Sequence, residues 1–545
     1  MTPPRPNPVA RLLPSLADVA FLMPMVFLFL RMEGASQMLE GDTGWHIRAG
    51  EWILANGRVP DRDLFSFTRP GEPWFAWEWL WDVLFARLHQ WWGLPAVVVT
   101  SLLLLSVTFT LLYRLAVNKG GNVLVAIALT LLAMAASAMH WLARPHLVTL
   151  LFTVLAVSVL DKAQTGQTRR LWLLPLLTVP WTNLHGGFLV GIMLAVCYAA
   201  GHLGEALVAA QPEVRRAALY RSRAYGLTAA GCLVASLLNP YGYRLHLHIL
   251  KYVSDPQSPF FRWVSEWQSM SFHHAGARYF EALMMLAVAA GAWHLHRRRF
   301  GYALAMMLWM HLALVSARHV PIFAILAAPL VAQAFGEILE RVRQAEIAGW
   351  LRRALETFQT TAAEAGAIDR IPRWRLASLA GAVLVITLCS APQAAGKFRA
   401  DYDRKAYPTQ ALDRLPASGL WSGVFAPDEW GDYLIYRLYP DVKVFIDGRF
   451  DFYGSRFTEK YLDVMNVKYD WEDNLKRYGI QTVLLPVDAA LAGALKQSAR
   501  WRPVYDDGVA IAFRAAGPAA VVDNLARDRA ITTADNRDRG ITLLP

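Results

Sequence analysis

Only three cysteines occur in this chain, Cys197, Cys232 and Cys389, and each sits inside an apolar run. That excludes a disulfide framework and a cysteine-based zinc site. Charge is scarce as well: Asp, Glu, Lys and Arg supply 18% of the residues, against 55% hydrophobic ones. A composition so poor in charge excludes disorder, a collagen-like or coiled-coil rod, and an ordinary soluble enzyme. No internal repeat of clear period is present, and no nucleophile triad is visible. What the 545 residues do hold is apolar length, 21 tryptophans and a net charge of +11. They describe a polytopic membrane protein with something soluble attached.

A bilayer-crossing helix needs about 20 mostly apolar residues. Candidate spans lie near 12–32, 94–116, 122–143, 146–161, 171–184, 187–207, 225–238, 281–296, 301–316, 320–337 and 375–391, about eleven in all. Lys and Arg in short loops set the orientation. With the N-terminus inside, beside Arg5 and Arg11, the inner loops hold Lys119, then Lys162, Arg169 and Arg170, then Arg215, Arg216, Arg221 and Arg223, then Arg297, Arg298 and Arg299. The last inner loop, about 338–374, holds Arg341, Arg343, Arg352, Arg353, Arg370 and Arg373. The positive charge is thus a topology signal, and nucleic acid is not an expected partner. Residues 1–35 read as an uncleaved first helix rather than a signal peptide. The expected location is a bacterial inner membrane, with the N-terminus inside.

The expected organisation is a mainly α, polytopic membrane domain over 1–392, with outer loops at about 33–80 and 239–280, and a small soluble periplasmic α/β domain over 393–545. In that domain, β-rich runs at Val442–Asp447, Thr482–Pro486 and Val509–Phe513 alternate with helical patterns at Glu429–Leu438 and Ala489–Ser498. After about 517 the chain is polar and is expected to be loose.

Polar residues gather at the outer turns. Asp42, His46 and Glu78 lie in the first outer loop, and Arg144 and His146 flank Pro145 at the next turn. Asn183 and His185 precede Gly186-Gly187, Asn239-Pro240-Tyr241-Gly242 opens the second large loop, and Arg318-His319 comes just before Pro321. Ionisable groups beside irregular backbone survive in lipid only where protein or a water-filled cavity surrounds them. One polar cavity at the outer surface accounts for all five turns. In the first loop, Gly41-Asp42-Thr43-Gly44-Trp45-His46 precedes an amphipathic stretch, Ile47 to Asn56. Asp42 is placed either to act as a base or to cap a helix beginning near Trp45. Glu78 sits among Trp74, Trp77, Trp79 and Trp81 at the start of an interface helix of about 75–92. There, desolvation favours its protonated form or a cationic partner.

This arrangement resembles the polytopic GT-C glycosyltransferases, and within them the bacterial members related to the protein mannosyltransferase and aminoarabinose transferase families. The resemblance covers about residues 1–392. It implies a sugar donor on a polyprenyl phosphate, a lipid, glycan or protein acceptor, and a catalytic acidic residue in the early loop, matched by Asp42 as base or metal ligand. It also implies an assisting group, for which Glu78 is the nearest match, and a basic residue for the lipid phosphate, Arg318 first and Arg144 second. Where the family commonly has an adjacent acidic pair this chain has Asp42-Thr43, and it has no WWD-type motif near its C-terminus. No cofactor is required by the sequence, although carboxylates above the membrane suit a divalent ion. His246, His248, His273 and His274, with Asp255 and Glu266, match no metal-ligand spacing. The resemblance implies instead that this loop covers the site. In the C-terminal domain, Asp447-Gly448-Arg449-Phe450-Asp451 reads either as a salt-bridged turn or as a site at a strand end. Asp428-Glu429 followed by Trp430-Gly431-Asp432 reads as a helix start. Two other classes stay open: a transporter or flippase of a lipid-linked glycan, and a non-catalytic assembly protein with the same fold.

Overall fold

The computed structural model describes residues 11–254, 261, 263–274, 276–392, 394, 396–415 and 420–516. Arg5, Asp255 and the tail expected after about 517 lie outside the described residues. The chain divides into two compact units, and neither is continuous in sequence. The first comprises Met1–Leu39, Ala49–Val59 and Ala76–Asp401; the second comprises Glu40–Arg48, Pro60–Phe75 and Tyr402–Pro545. The first outer loop, expected to belong wholly with the membrane portion, is therefore shared out between them.

The first unit is helical. Five segments are long and apolar enough to cross a membrane: Leu94–Gly120, Val123–His140, His146–Gln164, Gly186–Val208 and Ala317–Gln344. Leu16–Leu30, Phe300–Val315 and Leu376–Ser390 are apolar but shorter. The expected count of eleven spans is not reached, for reasons of length and charge. The candidate at 171–184 is the 12-residue helix Leu173–Leu184 with Pro180 inside it, only about 18 Å long at 1.5 Å per residue. The candidate at 225–238 is the latter half of Pro212–Ala235, whose front half carries Arg215, Arg216, Arg221 and Arg223.

Local chemistry fixes these helices. The Asn122 side chain accepts hydrogen bonds from Leu124 N and Val125 N, which starts the helix Val123–Ser137. Ser15 and Asp18 form a capping box on Leu16–Leu30, and Arg375 reaches Asp18 at 3.2 Å. Where Leu94–Gly120 meets Val320–Gln344, a Cβ on Gly120 would lie 2.6 Å from the Ala332 carbonyl oxygen. Only glycine allows that backbone approach, the small-residue contact that membrane helices use in place of a hydrophobic driving force.

The second unit is built on a four-stranded sheet in the order β1-β2-β4-β3, with β1 Val424–Phe425, β2 Thr482–Pro486, β3 Trp501–Asp506 and β4 Ala510–Ala515. β1 runs parallel to β2, and β4 is antiparallel to both β2 and β3. Helices Asp428–Leu438 and Ala490–Gln497 form where the sequence pattern predicts them. The expected strand Val442–Asp447 is not one. It is a loop whose Val444 pairs with the first-loop segment: Phe67 N donates to Val444 O at 3.0 Å, and Val444 N donates to Phe65 O at 2.9 Å. Phe425, Phe445, Ile446, Phe457, Val483, Leu485 and Phe513 form part of the core of this unit.

Candidate functional sites

In the first unit, three of the polar turns singled out in the sequence converge through one residue, Glu266. Its Oε1 lies 3.3 Å from Arg318 Nη1, and its Oε2 lies 3.4 Å from Arg144 Nη1 and 3.8 Å from His140 Nδ1. Burial alone would raise this carboxyl, but Arg318 and then Arg144 overcome it and hold it well below the usual range. The short helix Ser265–Trp267 is held in place from the neighbouring turn. Ser316 Oγ donates to Glu266 O at 3.0 Å, Ala317 N donates to Gln268 O at 2.9 Å, and the Arg318 guanidinium lies over the Trp267 ring at 4.6 Å. His146 Nε2 is 2.7 Å from the His140 carbonyl oxygen.

Beside this group stands a second pair. Glu78, the residue just before the helix Trp79–Trp92, lies 3.5 Å from His185 Nε2. The hydrogen-bond network assigns the tautomer. Gly187 N donates to His185 Nδ1 at 3.0 Å. Thr149 Oγ1, which accepts from Trp181 Nε1 at 2.9 Å, is 2.7 Å from the same nitrogen. Nδ1 is therefore the acceptor and Nε2 carries the proton toward Glu78. Burial first, then the positive charge of Arg318, keeps His185 from protonating. The imidazole beside Glu78 is thus neutral and is not a cation.

The remaining first-unit candidates hold backbone. Asn183 accepts from Trp79 Nε1 at 2.8 Å and donates to Val179 O and Leu238 O. Asn239 closes its own turn through Ser236 O, Gly242 O and Tyr241 N, while Tyr241 Oη accepts from Ala76 N at 2.9 Å. His319 packs against Trp309.

Asp42 and His46 belong to the second unit. The helix begins at Gly41, so Asp42 lies in its first turn rather than before it; the expected start near Trp45 is corrected by one turn. His46 is buried and stacks on Trp45 with ring centroids 3.7 Å apart. Asp42 meets the C-terminal segment at Gly448, where an added Cβ would lie 2.3 Å from Asp42 Oδ1 and 2.9 Å from Asp432 Oδ2. Glycine is required there, because any side chain would strike both carboxylates. Gly448 N donates to both Asp432 oxygens, at 3.0 and 3.2 Å. Burial, followed by the charges of Asp42 and Asp447, pushes the Asp432 carboxyl well above its ordinary range. Burial also raises Asp428, whose Oδ1 accepts from Tyr461 Oη at 2.8 Å.

The turn 447–449 is the salt-bridged one. Arg449 Nε and Nη2 each donate to Asp447 at 2.7 Å, and Nη2 also reaches Asp63 Oδ1 at 2.7 Å. Asp63 in turn accepts from Phe65 N, Ser66 N and Ser66 Oγ. Phe65 and Trp74 lie under the guanidinium, 4.9 and 4.5 Å away. Burial works against the charge on Arg449, but Asp447 and Asp63 keep it fully protonated. Among the described residues, no three His, Cys, Asp or Glu side chains are arranged to hold a metal ion.

Asp447 and Arg449 were legible as a salt-bridged turn or a strand-end site, whereas Glu266, Asp432, His140 and Thr149 were not placed in a site with the candidates above. Only the Asp-Gly-Arg turn carried a local signal.

This chain is similar to the oligosaccharyltransferase of Archaeoglobus fulgidus solved with an acceptor peptide containing the NVT sequon tethered via a disulfide bond. The TM-score is 0.52 at 11% identity, over 92% of this chain and 74% of that one. It is similar to archaeal AglB from Archaeoglobus fulgidus in complex with an inhibitory peptide and a dolichol-phosphate, at a TM-score of 0.53 and 12% identity over 92% and 74% of the two chains. It is similar again to the Archaeoglobus fulgidus oligosaccharyltransferase in complex with Zn and sulfate, at 0.51 and 10% over 92% and 73%. No protein-family model and no curated protein sequence matches it. At such identity the likeness is one of fold: this chain shares the fold of these oligosaccharyltransferases.

Proposed function

We propose that this protein is a multi-pass membrane glycosyltransferase that moves a sugar or glycan from a polyprenyl-phosphate carrier to an acceptor outside the cytoplasm. One observation carries the reading: the half-buried early-loop Asp42 is joined by a buried carboxylate, Asp432. Folding thereby supplies the acidic pair that is missing from the adjacent positions of the sequence. The fold supports the same class, and solved complexes of the similar oligosaccharyltransferase contain an acceptor peptide and a dolichol-phosphate. These favour a lipid-phosphate donor and a protein acceptor.

In this reading the acceptor's O–H or N–H gives its proton to Asp42 while its oxygen or nitrogen bonds to the anomeric carbon. The bond from that carbon to the phosphate oxygen breaks, and the departing phosphate takes the electron pair. Arg318 and Arg144 are the candidates, from the sequence, for stabilising the charge that develops, through paired hydrogen bonds. The displacement is single and inverting, so no covalent enzyme intermediate forms. Glu78 orients the polar groups around His185, and Glu266 holds the two guanidiniums ready for the donor. The arginine distribution supports an inner-membrane protein with its N-terminus inside and its C-terminal segment periplasmic.

The test is an in vitro transfer assay with the full chain in detergent, short-chain polyprenyl-phosphate sugars and a mixed set of peptide, glycan and lipid acceptors. Label arriving on an acceptor is the expected result. Movement of intact labelled carrier across proteoliposomes, without transfer, would replace the reading with that of a flippase.

A further inference from the structure

The first unit contains a cavity of about 510 Å³ at the helix ends opposite the outer turns. It is lined by Arg221, Arg297, Arg298, Arg299, Gln164 and Gln333, among others. Gln333 stands fifteen positions after Arg318 along Ala317–Gln344, which is about 20 Å of helix at 1.5 Å per residue. The cavity is therefore separate from the Glu266 cluster.

Its chemistry is that of an anion site. Acidic groups around it are already engaged. Glu205, which lines the cavity together with His202, is bound to His202 at 2.8 Å, and Glu337 is bound to Arg299 at 2.6 Å and to Trp293 Nε1 at 2.9 Å. Among the described residues, neither Arg221 nor Arg298 has a carboxylate partner, so two guanidinium forks are left to face the cavity. Arg298 also holds a left-handed backbone, φ 56°, in the three-arginine turn between Ala277–His296 and Phe300–Val315. That conformation is strained for a side chain of this kind.

The floor is ordered from beneath. Lys119 Nζ donates to Tyr302 Oη at 3.1 Å and to Gln333 Oε1 at 3.3 Å, and it is anchored by Asp161 at 3.0 Å. Tyr198 Oη donates to the same carboxylate at 3.0 Å. This fixes the Gln333 amide and the Tyr302 ring as neutral neighbours of the arginines. Topology alone asks only for positive charge in a loop; it does not ask for a concave site with a hydrogen-bonded floor.

We propose that this cavity binds a phosphate group, with Arg221 and Arg298 as the principal forks and Gln164 and Gln333 as neutral contacts. Guanidinium matches phosphate oxygens in a paired geometry that lysine lacks. The phosphate belongs either to an acidic phospholipid headgroup seated between the helices or to a soluble phosphate. Basic pockets between membrane helices bind such headgroups.

Thermal unfolding of the full chain in a zwitterionic detergent distinguishes these sources. The probes are dioctanoyl phosphatidylglycerol, inorganic phosphate and dioctanoyl phosphatidylcholine, each titrated to saturation. A ligand that binds only the folded state raises Tm with concentration. A rise with phosphatidylglycerol alone identifies a lipid headgroup, and a rise with both phosphatidylglycerol and inorganic phosphate identifies the phosphate itself. In either case the rise should fall at least five-fold in the double variant Arg221→Gln/Arg298→Gln. It should persist in Arg169→Gln/Arg170→Gln, which removes two exposed arginines outside the cavity. Native mass spectrometry of bound phosphatidylglycerol gives the same comparison without unfolding. Equal rises with phosphatidylcholine, no rise with either phosphate-bearing anion, or a rise undiminished in the first double variant would overturn the site.

Discussion

Asp42 and Asp432, 390 positions apart in the sequence, direct carboxylate oxygens at one point beside the Gly448 backbone, each within 3 Å of where a Cβ would stand. Two carboxylates so close do not both ionise readily. Burial and the charges of Asp42 and Asp447 hold the Asp432 proton to higher pH than an ordinary carboxyl keeps it, against the two bonds that its oxygens accept from Gly448 N–H.

The pair makes stability depend on pH with a definite sign. A carboxyl whose pKa is raised on folding stabilises fully below its unfolded value, about 3.9, and that contribution is lost as pH rises through the folded value. Asp432→Asn keeps the shape and never ionises. At neutral pH it should be more stable than wild type by about 1–3 kcal/mol, and the gap should close toward pH 4. Unfolding of both proteins across this range checks it. Groups facing Asp432 that titrate or carry charge are Asp42, Asp447 and Asp428, with Tyr402 and Tyr407 nearby. None of these changes the sign.

Arg449 is a different case, because its charge is needed. Replacing it with Met leaves Asp447 and Asp63 buried without their cation, and breaking such an arrangement costs about 3–5 kcal/mol. Arg449→Met should unfold the second unit at markedly lower temperature. Arg449→Lys should recover only part of the loss, since an ammonium does not supply the fork that reaches both carboxylates. Limited proteolysis against temperature reads this out directly.

Arg318 and Arg144 should act on donor binding. A charge-assisted hydrogen bond contributes about 1.5–3 kcal/mol, so Arg318→Gln and Arg144→Gln should each raise KM for a polyprenyl-phosphate sugar by about ten-fold or more. Glu266→Gln should not mimic them, since it frees the guanidiniums rather than removing them. Steady-state kinetics at varied donor concentration separate these outcomes.

Much of the fold was legible because hydropathy reads length and lipid exposure directly. The five long helices fall where apolar runs lie. The runs at 171–184 and 225–238 do not form helices both long and apolar enough to cross, because an apolar window does not reveal a 12-residue helix with an internal proline or an arginine-rich front half. The strand expected at Val442–Asp447 has the apolar residues of one, but its partner is the first-loop segment around Phe65–Phe67, far away in sequence. β3 was missed because it is mostly exposed and carries Pro503, as an edge strand does.

The same limit applied to the sites. Arg144, Arg318, Glu78 and His185 stood out as polar residues at apolar helix ends. Glu266 did not, because its role depends on being met by two arginines from other turns. Asp432 looked like a first-turn acid on a helix, and nothing within its own segment shows that Asp42 lies across from it.

The most direct measurement is sugar transfer from a polyprenyl-phosphate donor by wild type and by Asp42→Asn at saturating donor and acceptor. Asparagine keeps the size and the hydrogen bonding but cannot accept the proton, and general-base loss costs about 10²–10⁴-fold. The account predicts a fall in kcat of at least about 100-fold, with donor KM little changed. Transfer by Asp42→Asn at the wild-type rate would contradict it.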